Sequence, residues 1–97
     1  MIPTGRGMRD DEFEWDDDKA AKNVRKHDLT FWLARDAFDD PNAVDLDEPD
    51  PDEERYNRLC KINDLMLAVC FTERHGRIRI ISARRANRYE QQFYKVG

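Results

Sequence analysis

The sequence predicts an α+β domain in which a small antiparallel β-sheet packs with two N-terminal helices and one C-terminal helix. Three observations support this class. A chain of 97 residues buries one modest core and forms one domain. Segments with the apolar spacing of helices lie near both ends of the chain. Between them, the apolar run 65–72 has the composition of a central strand.

The N-terminal part of the chain begins with a leader and a short strand. Residues 1–10 contain two glycines and a proline, so we expect a flexible leader followed by one domain over residues 11–97. The tripeptide Phe13-Glu14-Trp15 is compatible with a first β-strand.

Two helices are predicted next. Asp16 is a typical N-cap residue, and the helix is expected over Lys19 to Lys26, with Ala20, Val24 and His27 on one side. Thr30 caps the second helix, which Asp40-Pro41 ends. The apolar residues of this second helix recur at helical spacing, namely Phe31, Ala34 and Phe38.

Four strands and a helix are predicted in the rest of the chain. Ala43-Val44 suggests a short strand, and the acidic, proline-containing run 45–54 is a loop. His75-Gly76 has the composition of a hairpin turn. Consecutive strands joined by short turns pair antiparallel. The three main strands are expected at Tyr56–Ile62, Leu65–Thr72 and Arg77–Ser82.

The final helix is predicted to begin at an N-cap and to pack through one apolar side. Ser82 is the expected cap, and the helix is expected over Ala83 to Lys95. Its inner face is predicted to consist of Ala86, Tyr89 and Phe93.

Charge divides the chain into two unlike halves. Residues 1–54 hold 18 acidic and 7 basic residues, whereas residues 55–97 hold 3 acidic and 10 basic residues, within a net charge of −4. The basic half therefore predicts an anionic partner. No apolar run reaches the length of a signal peptide or membrane span, so we expect a cytosolic protein that does not bind membranes.

No metal or cofactor is predicted. Cys60 and Cys70 have no metal-ligand spacing and are expected to be reduced thiols in or near the core. The acidic run lacks the spacing of a calcium loop, and no nucleotide-binding or zinc-protease motif occurs.

Six arginines near the last two elements are candidate phosphate ligands, because the guanidinium fork matches phosphate geometry. Arg77 and Arg79 share one sheet face, while Ile78 and Ile80 face the core. The helix start expected near Ser82 would add backbone N–H groups. A salt-bridged surface that faces the acidic half or an acidic partner is the equally weighted alternative. The six are Arg74, Arg77, Arg79, Arg84, Arg85 and Arg88.

Metal-independent RNA cleavage needs a group that takes the 2′-OH proton, a group that protonates the leaving oxygen, and cations for the phosphorane. Lys26-His27 is a possible cation and acid–base pair, although a histidine at a helix end is more often a cap. Arg55 either binds phosphate or balances Glu54. The titratable candidates are His27, His75, Glu54, Glu73, Glu90, Tyr56, Tyr89 and Tyr94.

Three blocks of sequence, spread from Phe13 to Tyr94, form a recognisable pattern. The opening block is Phe13-Glu14-Trp15-Asp16, Lys19-Ala20, Asn23 and Lys26-His27, continued by Phe31, Ala34, Phe38 and Asp40-Pro41. The middle block is Glu54-Arg55-Tyr56. The closing block is Phe71-Thr72-Glu73-Arg74, the run from Arg77 to Ala86, then Arg88, Glu90 and Tyr94. In order and spacing, these blocks resemble the BrnT toxin family.

The resemblance implies a RelE-like ribonuclease fold and a metal-independent endoribonuclease that blocks translation. It implies a BrnA-like antitoxin partner with a ribbon-helix-helix DNA-binding domain, usually two copies of each chain, and contact with operator DNA only through the antitoxin. Three positions depart from the family pattern. Asp28 and Cys60 stand where, or near where, the family commonly has glycine, and the acidic loop lacks the family's histidine.

Together, the residues and the resemblance predict one RNA site, in which His27 has an acid–base role and the arginines bind phosphate. The residues expected to line it are Lys26, His27, Arg55, Arg74, Arg79, Arg84 and Tyr89, with further phosphate contacts from Arg77, Arg85 and Arg88. The alternative is a non-catalytic module whose basic face holds an antitoxin segment and modulates operator binding.

Overall fold

A computed structural model describes residues 12–46 and 55–94. The expected leader and most of the acidic loop lie outside these residues. The described elements confirm the α+β class, with two helices before the main strands and one after them. They are β1 (Phe13–Glu14), α1 (Asp17–His27), α2 (Phe31–Ala37), β2 (Val44–Leu46), β3 (Tyr56–Ile62), β4 (Leu65–Arg74), β5 (Arg77–Arg85) and α3 (Arg88–Gln91).

The strands form one sheet in the order β1-β5-β4-β3-β2, and β2 to β5 pair antiparallel as predicted. The β4–β5 turn has positive φ at both central residues, 53° at His75 and 78° at Gly76. This is the backbone of a two-residue hairpin turn, and glycine adopts it without strain.

The first strand corrects the prediction of a purely antiparallel sheet. β1 pairs parallel with β5, with Phe13 opposite Ile78 and Glu14 opposite Arg79. These partners are 65 positions apart in the chain, so no tight turn fixes their relative direction. The sheet is therefore mixed.

Side-chain caps define the two N-terminal helices as predicted. Asp16 accepts hydrogen bonds from the backbone N–H groups of Asp18 (2.8 Å) and Lys19 (3.2 Å), and Thr30 accepts one from Leu33 (3.1 Å). Asp28 ends α1 with a left-handed φ of 59°. This is a conformation that glycine adopts more readily than other residues.

The sheet has two unlike faces. The helix-side face packs on α1 and α2 and holds the larger core. The opposite face, which we call the open face, carries a smaller apolar cluster around Leu59 and Ala68, and Tyr94 packs against it. Side chains alternate along a strand, but the register of β5 shifts at Ile81, between the pairs Phe71–Ile80 and Cys70–Ser82. Arg84 therefore shares the open face with Arg77 and Arg79, and Arg85 lies on the helix side. The fully buried side chains of the larger core include Phe31, Leu67, Val69 and Ile80.

The buried side of α1 is polar at its centre, which the sequence pattern did not indicate. Val24 is 42% exposed, whereas Asn23 is buried. The Asn23 amide donates to the carbonyls of Leu29 and Ala83, both at 2.9 Å, and accepts from the N–H of Ala83 at 3.0 Å. Asn23 thus joins α1 to β5 beyond the part of β5 that pairs with β1.

The predicted C-terminal helix begins too early and is too long. Ser82 is a strand residue opposite Cys70, and β5 continues to Arg85 because β4 is long enough to pair with it. The observed cap is Asn87, whose side chain accepts from the Glu90 N–H at 2.8 Å while Glu90 accepts from the Asn87 N–H at 2.9 Å. Ala86 is buried as predicted, but Tyr89 is 68% exposed and Phe93 is also exposed.

Tyr94 forms a hydrogen bond that connects the end of the described chain to the loop after α2. Its hydroxyl donates to Asp40 Oδ2 at 2.5 Å, and the same oxygen accepts from the Lys61 N–H at 2.8 Å. Burial opposes the charge of Asp40, but the bonds from Tyr94, Asn42 and Lys61 hold its pKa below the ordinary 3.8. The bond to Asp40 raises the pKa of Tyr94 to about 12.

We expect Tyr94→Phe to lower the free energy of unfolding by about 1 kcal/mol near neutral pH, because one hydrogen bond to a carboxylate is lost. The lowered Asp40 pKa contributes stability above its unfolded value, which disappears as pH falls through the folded pKa. The raised Tyr94 pKa contributes stability that disappears as pH rises toward about 12. The difference in free energy of unfolding between the wild-type protein and Tyr94→Phe should therefore become smaller at both acid and alkaline pH.

Urea unfolding across the pH range tests this expectation. Tyr89→Phe removes a hydroxyl from an exposed tyrosine and is the matched control, for which we expect no change in stability. A Tyr94→Phe deficit that stays constant from acid to alkaline pH would contradict the assignment to this hydrogen bond.

Candidate functional site

Pairing between strands brings four arginines to one end of the open face. Arg74 lies opposite Arg77, and Arg79 lies opposite Thr72. Arg55 precedes β3 by one residue, so extending the register beyond the Tyr56–Phe71 pair places it beside Thr72. We call Arg55, Arg74, Arg77 and Arg79 the arginine cluster. The sequence predicted all four as phosphate ligands; three of them lie on the neighbouring strands β4 and β5, and Arg55 directly precedes β3.

A carboxylate that the sequence-based prediction missed lies within this cluster. Glu14 Oε2 is 2.9 Å from Arg79 Nη1, and Glu14 Oε1 is 3.9 Å from Arg77 Nη1. The Glu14 side chain is 25% exposed. Side chains alternate along a strand, and Phe13 and Trp15 on either side of Glu14 are buried. The sequence alone therefore predicts that Glu14 faces away from the larger core. Its place beside the arginines depends on the parallel pairing of β1 with β5.

Farther along the open face, Arg84 and the C-terminal segment border a cleft of about 560 Å³. Arg84 forms a two-bond fork to Glu90, with both N–O distances at 2.7 Å. This fork holds the pKa of the Glu90 carboxyl below its ordinary value of 4.5, although burial opposes the shift. The cleft is lined by Val44, Asp45, Leu46, Arg84, Asn87, Tyr89, Glu90 and Phe93.

Aromatic rings form one wall of the cleft. The rings of Tyr89 and Phe93 meet edge to face, with centroids 5.2 Å apart, and both are exposed. Exposed aromatic rings next to cations are typical platforms for unstacked nucleobases. Arg79 and Arg84 are separated along β5 by about 15 Å at the rise of a β-strand, so the cleft and the arginine cluster are neighbouring parts of one surface.

The structure does not bring Lys26 and His27 to the arginine cluster. They end α1, where the His27 carbonyl accepts a hydrogen bond from Arg85 Nη1 at 3.0 Å. Arg85 lies opposite Leu67 on the helix-side face. Arg77 is at the other end of β5, roughly 25 Å away at the rise of a β-strand. Lys26, His27 and Arg85 therefore form a separate basic group.

The other titratable candidates are scattered. His75 is exposed in the β4–β5 turn, and Glu73 is exposed on the helix-side face. Tyr56 stacks on Phe71 of the same face, with centroids 5.4 Å apart. Glu54 lies outside the described residues.

Salt bridges within the chain account for part of the basic surface. Arg79 and Arg84 pair with Glu14 and Glu90, as the salt-bridge alternative predicted. Within residues 12–46 and 55–94, no carboxylate lies within 4.0 Å of the guanidinium groups of Arg74, Arg85 or Arg88, which are exposed side chains. The surface therefore keeps unneutralised cations.

Other site classes find little support in the described part of the chain. None of its residues form a group of three or more His, Cys, Asp or Glu side chains that could hold a metal. Cys60 and Cys70 are free thiols, and burial raises the pKa of Cys60 to about 12. The described helices lack the length and apolar character that a membrane crossing needs.

Comparison with known proteins identifies the family of this chain. No curated protein matches the chain. The family described as "Ribonuclease toxin, BrnT, of type II toxin-antitoxin system" matches residues 15–90. The match includes α1, α2, the whole of β2 to β5, and α3 as far as Glu90. The chain therefore belongs to the BrnT family of ribonuclease toxins of type II toxin–antitoxin systems.

Proposed function

We propose that this protein is a metal-independent endoribonuclease that inhibits translation by cutting RNA bound across the open face of its sheet. One observation carries the proposal: Arg74, Arg77 and Arg79 lie on neighbouring strands of one face, with Arg55 directly before a third strand, beside a cleft with exposed aromatic rings. Cations and stacking surfaces are the two features that single-stranded RNA sites combine.

The arginine cluster supplies the electrostatic part of the reaction. Each guanidinium presents a planar set of N–H donors, and several donors on one phosphate stabilise the extra negative charge of the phosphorane. Arg74 is exposed, and Arg77 makes only a 3.9 Å contact with Glu14. Both side chains therefore have N–H groups for a phosphate. Arginine stays protonated at neutral pH, so it acts here as a cation and not as an acid.

The cleft can bind a nucleobase of the RNA. A nucleobase that leaves the stack can lie against Tyr89 and Phe93, with Arg84 at its border. A stacked base fixes the adjacent phosphate on the neighbouring part of the open face. Tyr89 thus binds substrate in this scheme.

The basic group at the end of α1 has a lesser role. Lys26, His27 and Arg85 are too far from Arg77 to share one phosphate with the arginine cluster. We place them, together with the exposed Arg88, on flanking phosphates of the same RNA. His27 therefore does not carry the proton transfer at the cleaved phosphate.

Neutralisation by an antitoxin fits the same surface. Type II toxins have a protein antitoxin, and we propose a BrnA-like ribbon-helix-helix partner in a complex with two copies of each chain. An antitoxin segment that covers the open face would inhibit by excluding RNA, and the antitoxin alone would contact operator DNA. In a structure of the complex, the side chains of Arg74 and Arg84 should be covered. If both remained exposed to solvent, this mode of inhibition would be wrong.

A non-catalytic binding module is the second candidate. The pairing of Arg79 and Arg84 with carboxylates of the same chain favours it, because paired arginines bind RNA phosphates less strongly. In this reading, the apolar residues Val44 and Leu46 of the cleft hold an antitoxin side chain.

Expression and cleavage separate the two candidates. We expect the chain without its antitoxin to arrest growth, and the purified protein to cut single-stranded RNA in the presence of EDTA. RNA methylated at every 2′ oxygen is the control and should remain whole, because the attacking hydroxyl is blocked. Normal growth together with intact RNA would favour the binding module. Loss of cleavage in EDTA would contradict metal independence.

A further inference from the structure

The arginine cluster needs a group that accepts the 2′-OH proton, because arginine remains protonated and cannot do so. Carboxylates, imidazoles and phenols are the candidates. Glu90 is held by two bonds from Arg84 in the cleft, and Tyr94 donates to Asp40. His27 lies beside Arg85, at the end of β5 away from the cluster, and Glu73 and Tyr56 are on the other face. His75 is exposed in the turn next to the cluster, where no hydrogen bond among the described residues holds its side chain in place. Glu14 is the carboxylate that the described residues place within the cluster.

The geometry leaves Glu14 able to take a proton. Oε2 accepts from Arg79 at 2.9 Å, whereas among the described residues the polar contact of Oε1 is the one with Arg77 at 3.9 Å, which is longer than a hydrogen bond. A carboxylate oxygen has two acceptor positions, so Oε1 can receive the 2′-OH proton. Arg79 uses one N–H for Glu14 and keeps further donors for the phosphate.

Resting on the proposed function, we infer that Glu14 is the general base of RNA cleavage, held between Arg77 and Arg79 at the reacting phosphate. Oε1 removes the 2′-OH proton, and the 2′ oxygen forms a bond to the adjacent phosphorus. The bond from phosphorus to the 5′ oxygen breaks, and that oxygen takes a proton from water. The protonated Glu14 then gives its proton to the hydroxide that remains, which restores the carboxylate and the water. The products are a 2′,3′-cyclic phosphate and a 5′-hydroxyl, and no electrons are transferred.

A general base differs from a carboxylate that merely shields the arginines. If Glu14 only neutralised Arg77 and Arg79, its removal would expose two cations and increase both RNA binding and cleavage. If it only held Arg79 in position, its removal would weaken RNA binding. A base is distinguished from both, because its removal abolishes the chemical step while RNA binding stays intact.

The test compares Glu14→Gln with the wild-type protein. Gln keeps the size of the side chain and can still accept a bond from Arg79. We expect kcat to fall by about 100-fold or more, the usual contribution of a general base. Affinity for 2′-O-methyl RNA should stay equal or become tighter. Glu14→Asp keeps a shorter carboxylate and should cut at a rate between those of wild type and Glu14→Gln.

Glu73→Gln is the matched control, since it removes an exposed carboxylate from the opposite face at the same end of the sheet. We expect wild-type kcat for it. Wild-type or faster cleavage by Glu14→Gln would overturn the inference, as would weaker RNA binding with kcat unchanged. If Glu14→Gln fails to fold, a Glu14→Asp protein with wild-type kcat would also overturn it. A wild-type protein that leaves RNA intact would instead refute the proposed function.

Discussion

Asn23→Ala is expected to lower the free energy of unfolding by about 3 kcal/mol, the largest effect on stability that we predict. The Asn23 amide makes three buried hydrogen bonds, to the Leu29 carbonyl and to both backbone groups of Ala83. Alanine would leave these backbone groups without their partner inside the protein. Each unsatisfied buried group costs about 1–3 kcal/mol, and water entering the gap recovers part of this cost.

Urea or thermal unfolding measures this change. For a domain of this size, about 3 kcal/mol corresponds to a fall in Tm of roughly 10–20 °C. Lys22→Ala is the matched control, because Lys22 is an exposed neighbour in the same helix and alanine favours helix formation. Equal stability of the two variants would show that the link from α1 to β5 does not stabilise the fold.

The combined variant Arg74→Gln, Arg77→Gln and Arg79→Gln is expected to reduce RNA cleavage by about 1000-fold, because the loss of even one charge-stabilising donor typically costs 100- to 1000-fold. These side chains lie on the open face and are exposed or half-buried, so the variant should remain folded. The reaction should lose phosphate binding and stabilisation of the phosphorane together. Initial rates with a short single-stranded RNA measure the effect.

The matched control replaces three exposed cations of α1 with glutamine, at Lys19, Lys22 and Arg25. This second triple variant removes the same charge from the helix side of the molecule. We expect it to cut RNA within a few-fold of the wild-type rate. Similar losses in both triple variants would mean that net charge, and not the open face, governs cleavage.

Local signals predicted the N-terminal elements well. Asp16 and Thr30 cap their helices as expected, since a capping side chain acts on backbone groups two or three residues away. The β3 bounds, Tyr56–Ile62, and the His75-Gly76 turn were also predicted from neighbouring residues alone.

The C-terminal helix was misplaced because two local preferences compete after Ser82. Serine and alanine favour a capped helix there, but residues as far as Arg85 pair with the long strand β4. Such pairing depends on residues far away in the chain, and tertiary contacts override helix propensity. The capping box of Asn87 and Glu90, whose cap residue lies five residues after Ser82, is the signal that the sequence-based prediction missed.

The candidate site was predictable where it depends on neighbouring residues of one strand, and not where it depends on pairing between distant parts of the chain. Strand alternation placed Arg77 and Arg79 together, which the structure confirms through their shared contact with Glu14. The position of Glu14 beside Arg79 depends on the parallel pairing of residues that are 65 positions apart in the chain. The separation of His27 from Arg77 likewise depends on the direction of α1 along β5.

The salt dependence of RNA affinity tests the central claim, that RNA lies on the open face, most directly. With 2′-O-methyl RNA, each lost phosphate contact should reduce the slope of log affinity against log salt by about 0.7. We predict that the triple variant at Arg74, Arg77 and Arg79 loses about 2 from this slope, while the α1 triple variant keeps the wild-type slope. A wild-type slope in the open-face variant, or an equal loss in both variants, would contradict the claim.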